Sequence, residues 1–210
     1  KLVSGSFERL SSVRLSFDRS MDDGSLNTAV ITSNNNPLPS STYSSASIIA
    51  TADSFIRGEV YTIAIDSVSD CVGNSLVNAS IDLYLPAIDD VVINEVLFNP
   101  RGSGTDFVEL YNQSLFDINI ENWKLAYYDS KDSLRFNSIS ESSVLLIEDG
   151  FIALNEDSID LIQNYPQGTA DNFFTMNLPS YANENGSVIL YDQLGELVDQ
   201  FNYNENLHFA

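Results

Sequence analysis

The chain has 210 residues, of which 9 are Lys or Arg and 30 are Asp or Glu, so its formal net charge at pH 7 is −21. This charge argues against binding to nucleic acid or to an anionic membrane surface, because both rely on basic side chains. A hydrophobic content of 43% with 11% aromatic residues excludes a disordered acidic chain. The longest apolar runs, such as residues 144–147, are far shorter than the roughly twenty residues of a transmembrane helix.

Short segments in which apolar and polar residues alternate fill the first 86 positions, and this period of two predicts β-strands. The predicted strands of this half cover residues 13–17, 29–32, 47–50, 60–65 and 81–85. The first of them should bury Val13, Leu15 and Phe17 on one face. Polar turn clusters separate the strands at intervals of about eight to twelve residues, which is typical of a β-sandwich.

A second set of strands follows Pro86, which ends the first set because proline cannot donate to a strand ladder. Its predicted strands cover residues 91–98, 107–111, 123–128, 144–147, 151–154, 188–191 and 197–203. Residues 156–165 form the only good helical candidate, with Ile159 and Ile162 three apart on one face. We therefore divide the chain near residue 87, so that residues 86–89 form a short linker between two all-β domains.

The second half carries several motifs in a fixed order. They are Ile93-Asn94-Glu95 with an Asn-Pro turn at 99–100, FVELYN at 107–112, Trp123-Lys124-Leu125, and a closing pair of strands at 185–192 and 195–199. This series resembles the lamin-tail domain, an immunoglobulin-like sandwich of nuclear lamins that also occurs in secreted bacterial proteins. The resemblance covers roughly residues 90–206. Asn122 stands where the family pattern has Gly, a tolerable change because Asn also accepts a positive φ.

The first half carries a different pattern: a strand and turn at 13–22, Tyr61-Thr62-Ile63, and DCVGN at 70–74. It is similar to the bacterial Ig-like domain of surface-layer and other cell-surface proteins. Together the resemblances imply two tandem Ig-like β-sandwiches joined by a short linker, with a bacterial Ig-like domain at 1–87 and a lamin-tail-like domain at 88–210. They also imply a longer multidomain bacterial protein that is extracellular, at the cell surface or periplasmic.

Acidic residues cluster in several predicted turns, where carboxylate and carbonyl oxygens could bind a calcium ion. The candidate calcium ligands are Asp18, Asp22, Asp23, Asp66, Asp70 and the linker residues Asp89 and Asp90. No segment has the spacing of an EF-hand loop. The alternative is that these acids cap turns and keep the surface soluble. Calcium is the one cofactor that the sequence suggests.

Glu95 and Glu109 are the best-placed pair of acids, because both lie inside predicted strands. By strand alternation we expect Glu95 on the same face as Ile93 and Leu97. Such a pair could bind a metal ion, or serve a hydrolase if the carboxyl groups converged about 5 to 9.5 Å apart in an open cleft. The alternative is that each side chain extends from the solvent face or hydrogen-bonds a loop.

Three further features are not expected to take part in catalysis or phosphate binding. His208 is the sole histidine and lies two residues from the end, where a catalytic triad is not expected. The lone Cys71 is expected to pack as a small buried hydrophobe. The Gly-rich segment 101–105 is expected to be a hairpin loop, because no helix N-terminus follows it to bind phosphate.

Aromatic residues of the second half could provide a stacking platform for sugar rings. The candidates are Tyr127, Tyr128, Phe173, Phe174, Tyr181 and Tyr203. Alternation requires that one of Tyr127 and Tyr128 face outward, and likewise one of Phe173 and Phe174 if that stretch is extended. Segment 167–185 is long for a hairpin loop, so we expect a binding specificity there.

These observations favour a non-enzymatic module of an exported or cell-surface bacterial protein that serves adhesion, spacing or display. We expect it to be monomeric and to bind a cell-surface protein or a glycan, without nucleic acid contact or membrane insertion. The alternative is a carbohydrate-binding accessory module of a secreted hydrolase. A third hypothesis is a calcium-dependent hydrolase that uses Glu95 and Glu109.

Overall fold

A computed structural model describes residues 1–100 and 104–204 of the chain. Contacts divide the chain into two compact units, Lys1–Ala87 and Ile88–Ala210. Strands dominate the regular structure of both units, and the helices are short. The predicted all-β fold class is therefore confirmed. In the part of the chain that the structure describes, the helices lack the length to span a bilayer.

The first unit consists mainly of two antiparallel four-stranded sheets. In chain order its elements are β1 (Leu2–Arg9), β2 (Ser12–Phe17), α1 (Asp23–Thr28), β3 (Val30–Ser33), β4 (Asn36–Pro37), β5 (Ser40–Ser44), β6 (Ser47–Thr51), β7 (Glu59–Asp66), β8 (Val68–Ser69), β9 (Ser75–Leu76) and β10 (Ala79–Leu85). The sheet orders are β1-β2-β6-β5 and β10-β7-β3-β4, and β8 pairs with β9. Val13, Leu15 and Phe17 are buried, as alternation along β2 predicts.

Strand β1 and helix α1 are two of the six elements of the first unit that were not predicted; the others are the strands β4, β5, β8 and β9. Strand β1 pairs with β2, but its register shifts near both ends, so the alternation of its residues is interrupted. Helix α1 has six residues, too few to show helical periodicity. It is held by Asp22, whose carboxylate accepts the N–H of Ser25 at 2.8 Å, and by the buried Leu26. The prediction of a single helix is therefore wrong.

Within its described residues, 88–100 and 104–204, the second unit contains two four-stranded sheets, a shorter strand pair and one α-helix. Its elements are β11 (Val91–Leu97), β12 (Phe107–Asn112), β13 (Ile118–Asn119), β14 (Lys124–Tyr128), β15 (Leu134–Ser138), β16 (Leu145–Leu146), β17 (Phe151–Asn155), α2 (Ser158–Asn164), a 3₁₀ helix (Ala170–Asn172), β18 (Phe173–Thr175), β19 (Asn185–Tyr191) and β20 (Leu197–Asn204). The sheet orders are β11-β12-β17-β18 and β15-β14-β19-β20, and β13 pairs with β16. Both larger sheets contribute fully buried side chains to the core: Val108, Leu110, Leu125, Val188 and Leu190.

Asn112 explains why the FVELYN motif ends on an amide. Its side chain is fully buried, and its Nδ2 donates to the carbonyl oxygens of Phe116 at 2.8 Å and of Leu146 and Ile147 at 3.0 Å. Its Oδ1 accepts the N–H of Ser114 at 3.0 Å. One amide therefore connects two loops to the end of β12. Its burial is tolerated because its hydrogen bonds are made within the protein.

Helix α2 packs through a different face from the one predicted. Leu161 is 1% exposed and packs against Phe107 and Ala153 on the outer face of the first sheet of this unit. Ile159 and Ile162, predicted to share a face, are 69% and 40% exposed. In a helix of seven residues a single leucine therefore makes the buried contact, and two isoleucines at helical spacing are not sufficient to identify the packed face.

Candidate functional site

Asp70 builds the hairpin loop between β8 and β9. Its Oδ1 accepts the backbone N–H groups of Val72 at 3.0 Å and Asn74 at 2.8 Å. The backbone N–H of Asp70 donates to the carbonyl of Asn74 at 2.9 Å, and Gly73 between them has a φ of 91°. The carboxylate therefore supplies the acceptors that the turn backbone needs, as Asp commonly does in turns.

Asp129 and Asp192 repeat this arrangement in the hairpin loops that follow β14 and β19. In each loop Oδ1 accepts the N–H groups of the residues two and four positions further on, at 2.9 or 3.0 Å. The residue three positions on has a positive φ, 57° at Asp132 and 81° at Gly195. Three hairpin loops in two units thus have the same internal bracing by a carboxylate.

Hydrogen bonds within these loops stabilise the charged carboxylates. The side-chain amide of Asn74 donates to Asp70 at 2.8 Å, and this bond, with the backbone N–H groups of the loop, lowers the pKa of Asp70 to about 2. Arg19 adds an ion pair with Asp70 at 3.3 Å. The backbone N–H of Ser133 is the main cause of the lowered pKa of Asp129. Asp70 and Asp129 therefore stay ionised at physiological pH.

The structure assigns local partners to three more of the calcium candidates. Asp18 pairs with Arg19 at 3.2 Å. Asp22 caps helix α1. The carboxylate of Asp66 accepts the backbone N–H of Asn78 at 3.2 Å. Asp22 therefore stabilises a helix end, and Asp18 and Asp66 each have a partner within the first unit.

The last calcium candidates lie at a helix start and in the linker. Asp23 is exposed in the first turn of α1. Asp89 is exposed and has a φ of 76°, and the backbone carbonyl of Asp90 accepts the N–H of Gln113 at 2.8 Å. Among residues 1–100 and 104–204, no three His, Cys, Asp or Glu side chains are placed to hold a metal ion. The calcium site remains a prediction from the sequence.

Glu95 and Glu109 lie directly opposite each other on β11 and β12. A register shift leaves Asn94 as an extra residue of β11, because Ile93 is paired with Leu110 and Glu95 with Glu109. Opposed residues of an antiparallel pair point to the same face, whereas Leu110 and Glu109 are neighbours and point to opposite faces. Glu95 therefore does not share a face with Ile93. The part of the expectation that concerns Ile93 is wrong because of the bulge at Asn94, whereas Leu97, paired with Phe107, does lie on the same face as Glu95.

The glutamate pair lies on the sheet face that helix α2 partly covers. The side-chain amide of Asn94 donates to Glu109 at 2.8 Å. Burial is the main cause of the raised pKa of Glu95, and the charge of Glu109 adds to it. The hydrolase hypothesis requires both carboxyl groups in one open cleft, and neither glutamate lines the cleft described next.

An open cleft of about 770 Å³ lies at one end of the sheet β15-β14-β19-β20. Its walls come from the end of β14, the hairpin loop that follows, segment 180–182, the start of β19 and the end of β20. We call it the tyrosine cleft. It is lined by Tyr127, Tyr128, Asp129, Ser130, Asp132, Ser180, Tyr181, Ala182, Asn185, Gly186, Ser187, Asn202 and Tyr203.

Three of its tyrosines pack in a row. The rings of Tyr127 and Tyr181 meet edge to face with centroids 6.4 Å apart, as do those of Tyr181 and Tyr203 at 6.5 Å. The Tyr203 hydroxyl donates to the carbonyl oxygen of Ala182 at 2.8 Å. The Tyr203 ring lies so close to Gly186 that a Cβ there would come within 2.6 Å of its Cζ. Glycine at 186 is therefore what allows the ring to lie across β19.

The hydroxyl of Tyr181 is the unusual group of the cleft. Tyr181 is 7% exposed, and its Oη has no hydrogen-bond partner among the described residues. A buried polar group without a partner costs about 1–3 kcal/mol. Burial is also the main cause of the pKa of Tyr181 lying far above its usual value, and it raises the pKa of Tyr203 to about 12. Both hydroxyls remain protonated at physiological pH and can donate hydrogen bonds.

The other predicted aromatic positions have mixed outcomes. Tyr128 is 51% exposed and Tyr127 is half-buried, which confirms that one of the two faces outward. Phe173 and Phe174 lie in β18, which pairs in parallel with β17. Phe173 is paired with Ala153 and packs with it on the outer face of the sheet, so one of the two does face away from the core. Both are half-buried, so neither offers a fully exposed ring. Within segment 167–185, the residues at 180–182 and 185 line the cleft.

Sequence reasoning did not identify Asp106. This half-buried acid has a raised pKa, chiefly because of burial and also because of the nearby Glu156. After burial, which is the main cause, the charge of Asp106 also contributes to the raised pKa values of Tyr181 and Tyr203. Nothing in the residues around it distinguishes it from the other acids, because its neighbours are brought to it only by the fold.

Cys71 corrects another expectation, since it is exposed rather than buried. Its Sγ lies 3.4 Å from the carbonyl oxygen of Met21, at the surface of the loop that Asp70 braces. His208 and the first three residues of the Gly-rich segment 101–105 lie outside the described residues.

Three solved structures match the chain at low TM-scores. A DUF4876 family protein from Bacteroides thetaiotaomicron has a TM-score of 0.36 and 11% identity, with 82% of this chain and 62% of that chain covered. The S-layer protein rSbsC has a TM-score of 0.35 and 14% identity, with coverages of 97% and 40%. A DUF4785 family protein from Legionella pneumophila has a TM-score of 0.28 and 13% identity, with coverages of 96% and 56%. This chain thus spans less than two thirds of each of them.

The comparison with curated proteins returned no match. No comparison bears on the resemblance of residues 1–86 to bacterial Ig-like domains, which remains a prediction. The second half is different, because the model of a protein family, the Lamin Tail Domain, matches residues 85–205. This match covers more than half of the chain, and the chain therefore belongs to the lamin tail domain family.

Proposed function

We propose that this chain is a non-enzymatic module of an exported or cell-surface bacterial protein, and that it serves adhesion, spacing or display. Membership of the lamin tail domain family supports this proposal, because the resemblance described above implies an exported bacterial protein. A net charge of −21 supports it as well, since a strongly acidic surface keeps a protein soluble and disfavours contact with nucleic acid.

The observation that carries the proposal is the use of acids in the loops. Asp70, Asp129 and Asp192 each accept two backbone N–H groups of their own hairpin loop. Loops that are braced in this way hold a fixed shape at the ends of the sheets. A fixed loop surface on a rigid scaffold suits binding and display, whereas a catalytic acid needs a carboxyl group that is free to exchange protons with a substrate.

The tandem arrangement of two compact units supports a spacing role. The linker region at 86–89 leaves little chain between Lys1–Ala87 and Ile88–Ala210. We propose that the first unit is a bacterial Ig-like domain and that the whole chain acts as a monomeric segment of a longer protein. Function is expected in the loops and clefts that such sandwiches carry, because a fold by itself does not determine a ligand.

Labelling of intact cells tests the proposed location. Antibodies raised against the 210-residue chain would be applied to intact and to permeabilised cells that produce the parent protein. We expect intact cells, or their culture medium, to carry the signal. An antibody against a cytoplasmic protein serves as the control for leakage. Signal only after permeabilisation of the inner membrane would overturn the proposal.

Adhesion and spacing can then be separated. Beads coated with the chain would be offered to the producing cells and to neighbouring cell types, with beads coated with the unfolded chain as the control. Specific capture supports adhesion. If the beads capture no cells, deletion of the chain from its parent protein tests the spacing role. We expect the other domains of the parent protein to extend a shorter distance from the cell surface, and its surface location to be unchanged. If deletion changes neither reach nor capture, the module has neither role.

A further inference from the structure

The lining of the tyrosine cleft has a distinctive composition. Its described residues are Tyr, Ser, Asn, Asp, Gly and Ala. Among them there is no aliphatic side chain larger than that of Ala and no Lys or Arg. Aromatic rings with hydroxyl, amide and carboxylate groups suit a ligand that has both apolar C–H surfaces and many hydroxyl groups. An anionic ligand would meet Asp129 and Asp132 without a lining cation, and an apolar peptide would find few apolar partners.

The volume of the cleft suits a short chain of sugar rings. Ligand pockets typically measure about 300–1,000 Å³, and the tyrosine cleft has about 770 Å³. Tyr128 offers an exposed ring at one wall, with half of its side-chain surface accessible. Tyrosine supplies a large, rigid contact surface at low cost in conformational entropy, which is why it is common in binding sites.

The Tyr181 hydroxyl favours a ligand that can form hydrogen bonds. Tyr181 lines the cleft and is more than nine-tenths buried, and its Oη has no partner among the described residues. The neighbouring Tyr203 hydroxyl, by contrast, is already engaged with Ala182. A ligand hydroxyl that reached Tyr181 would satisfy a group that folding alone leaves without a partner.

We propose that the tyrosine cleft binds a neutral oligosaccharide, with the Tyr128 ring as the stacking surface and the buried Tyr181 hydroxyl as the hydrogen-bonding group. This inference deepens the proposed adhesion function by naming the ligand class. The carboxylate of Asp129 is already engaged by its loop and by Arg135, whose Nε donates to Oδ2 at 2.8 Å. This wall of the cleft is therefore preformed. The Tyr181 Oη is itself buried, so a ligand hydroxyl reaches it only after a local shift of the atoms that cover it.

Amide chemical shifts of the whole 210-residue chain test the proposal. The probes are neutral oligosaccharides of glucose, N-acetylglucosamine, mannose, galactose and xylose, each at about 10 mM, roughly ten times the Kd of a weak 1 mM complex. An acidic oligogalacturonide is the matched charged probe. We expect at least one neutral probe to shift the amides of 129–133, 180–187 and 202–203, and the acidic probe to leave them unchanged.

Three variants separate binding from folding. Tyr128→Ala should weaken binding about tenfold, since it removes the stacking ring. Tyr181→Phe should weaken binding roughly 3- to 10-fold and leave the melting temperature unchanged or higher, because no hydrogen bond within the protein is lost. Tyr43→Ala, which removes an exposed tyrosine of the first unit, is the control and should change nothing.

Each alternative outcome overturns the proposal in a recognisable way. Failure of every neutral probe to shift the cleft amides excludes the ligand class. Preference for the acidic probe, or for a second copy of the chain detected as a dimer by sedimentation, identifies a different occupant. A lowered melting temperature of Tyr181→Phe shows that the hydroxyl has a structural role. Surface labelling of intact cells would be unaffected by these results, so failure of the cleft and failure of the proposed function are distinguishable.

Discussion

At the residue scale, Asn and Asp determine much of the local backbone. Asn122 has a φ of 62°, which confirms the expectation that Asn can replace the family's Gly before Trp123. Asp132 and Asp149 also have positive φ values. These two residue types adopt the left-handed region more readily than other non-glycine residues. A positive φ at these positions can be suspected from residue type, but its place in the turn is fixed only by the strands on either side.

Substitution of Asn122 measures the cost of this conformation. Asn122→Ala should lower the free energy of unfolding by about 1 kcal/mol, because a Cβ without a local polar group is disfavoured at positive φ. Asn122→Gly should stay within about 0.5 kcal/mol of the parent chain, since relief of strain and the greater freedom of the unfolded chain oppose each other. Urea unfolding followed by Trp123 fluorescence gives both values. Equal losses for Ala and Gly would show that the Asn side chain itself, rather than φ, is required.

The pKa of Asp70 predicts a pH dependence of the first unit. Because the folded pKa, about 2, lies below the unfolded value of about 3.9, the ionised carboxylate stabilises the folded state. This contribution is fully present above about pH 4 and is lost as the pH falls toward 2. The parent chain should be more stable than Asp70→Asn, and this difference should shrink as the pH is lowered. Thermal unfolding of the first unit at several acidic pH values measures it.

Asp53→Asn, which removes an exposed charge of the same unit, controls for the general effect of net charge on acid stability. An advantage over Asp70→Asn that is constant between pH 2 and 5 would contradict the proposed role of the loop hydrogen bonds.

At the scale of elements, long alternating strands were predictable, and short or irregular elements were not. Strands β2, β7 and β12 follow the expected alternation, because each buries one face against the core. Strand β18 has three residues and pairs in parallel, so it lacks a pattern long enough to detect. The bulge at Asn94 depends on pairing with β12, and pairing is not encoded in the alternation of β11 alone.

The sequence indicated which residues could form the candidate site, but not where in the fold they meet. Tyr127, Tyr128, Tyr181 and Tyr203 were singled out as possible stacking residues, and the structure brings them to one cleft. Their convergence requires that β14, β20 and segment 180–182 meet at the same end of the sheet. The burial of the Tyr181 hydroxyl without a partner among the described residues, and the effect of Asp106 on its pKa, arise only when these segments come together. No local sequence pattern could therefore indicate them.

Helix α2 offers a test of which face packs. Leu161→Ala should lower the free energy of unfolding of the second unit by about 2–4 kcal/mol, since Leu161 is buried against Phe107 and Ala153. Ile159→Ala should change it by less than about 0.5 kcal/mol, because Ile159 is largely exposed. Trp123 fluorescence in urea reports this unit. A larger loss for Ile159 than for Leu161 would mean that the helix packs through the face predicted from its isoleucine spacing.

At the scale of the whole molecule, a net charge of −21 makes self-repulsion a general destabilising force. Several of the acids that were candidate calcium ligands have other roles in helix caps, hairpin loops and ion pairs, as at Asp22, Asp70 and Asp18. Cations should therefore stabilise the chain mainly by screening. At ionic strengths of 0.01 and 0.15 M the Debye lengths are about 30 and 8 Å, so screening acts over the size of each unit.

Calorimetry in salt distinguishes this screening from a specific calcium site. In EDTA, added NaCl should raise the melting temperatures of the chain, and CaCl₂ after removal of EDTA should raise them no further than NaCl at the same ionic strength. A site that binds calcium only in the folded state would add about 2.7 kcal/mol at 100 times its Kd, which amounts to several degrees. A rise of that size at micromolar to millimolar calcium, with MgCl₂ ineffective, would establish the site that the acidic turns predict. Replacement of Asp89 and Asp90 by Asn would then locate it, because only a linker site would lose the response.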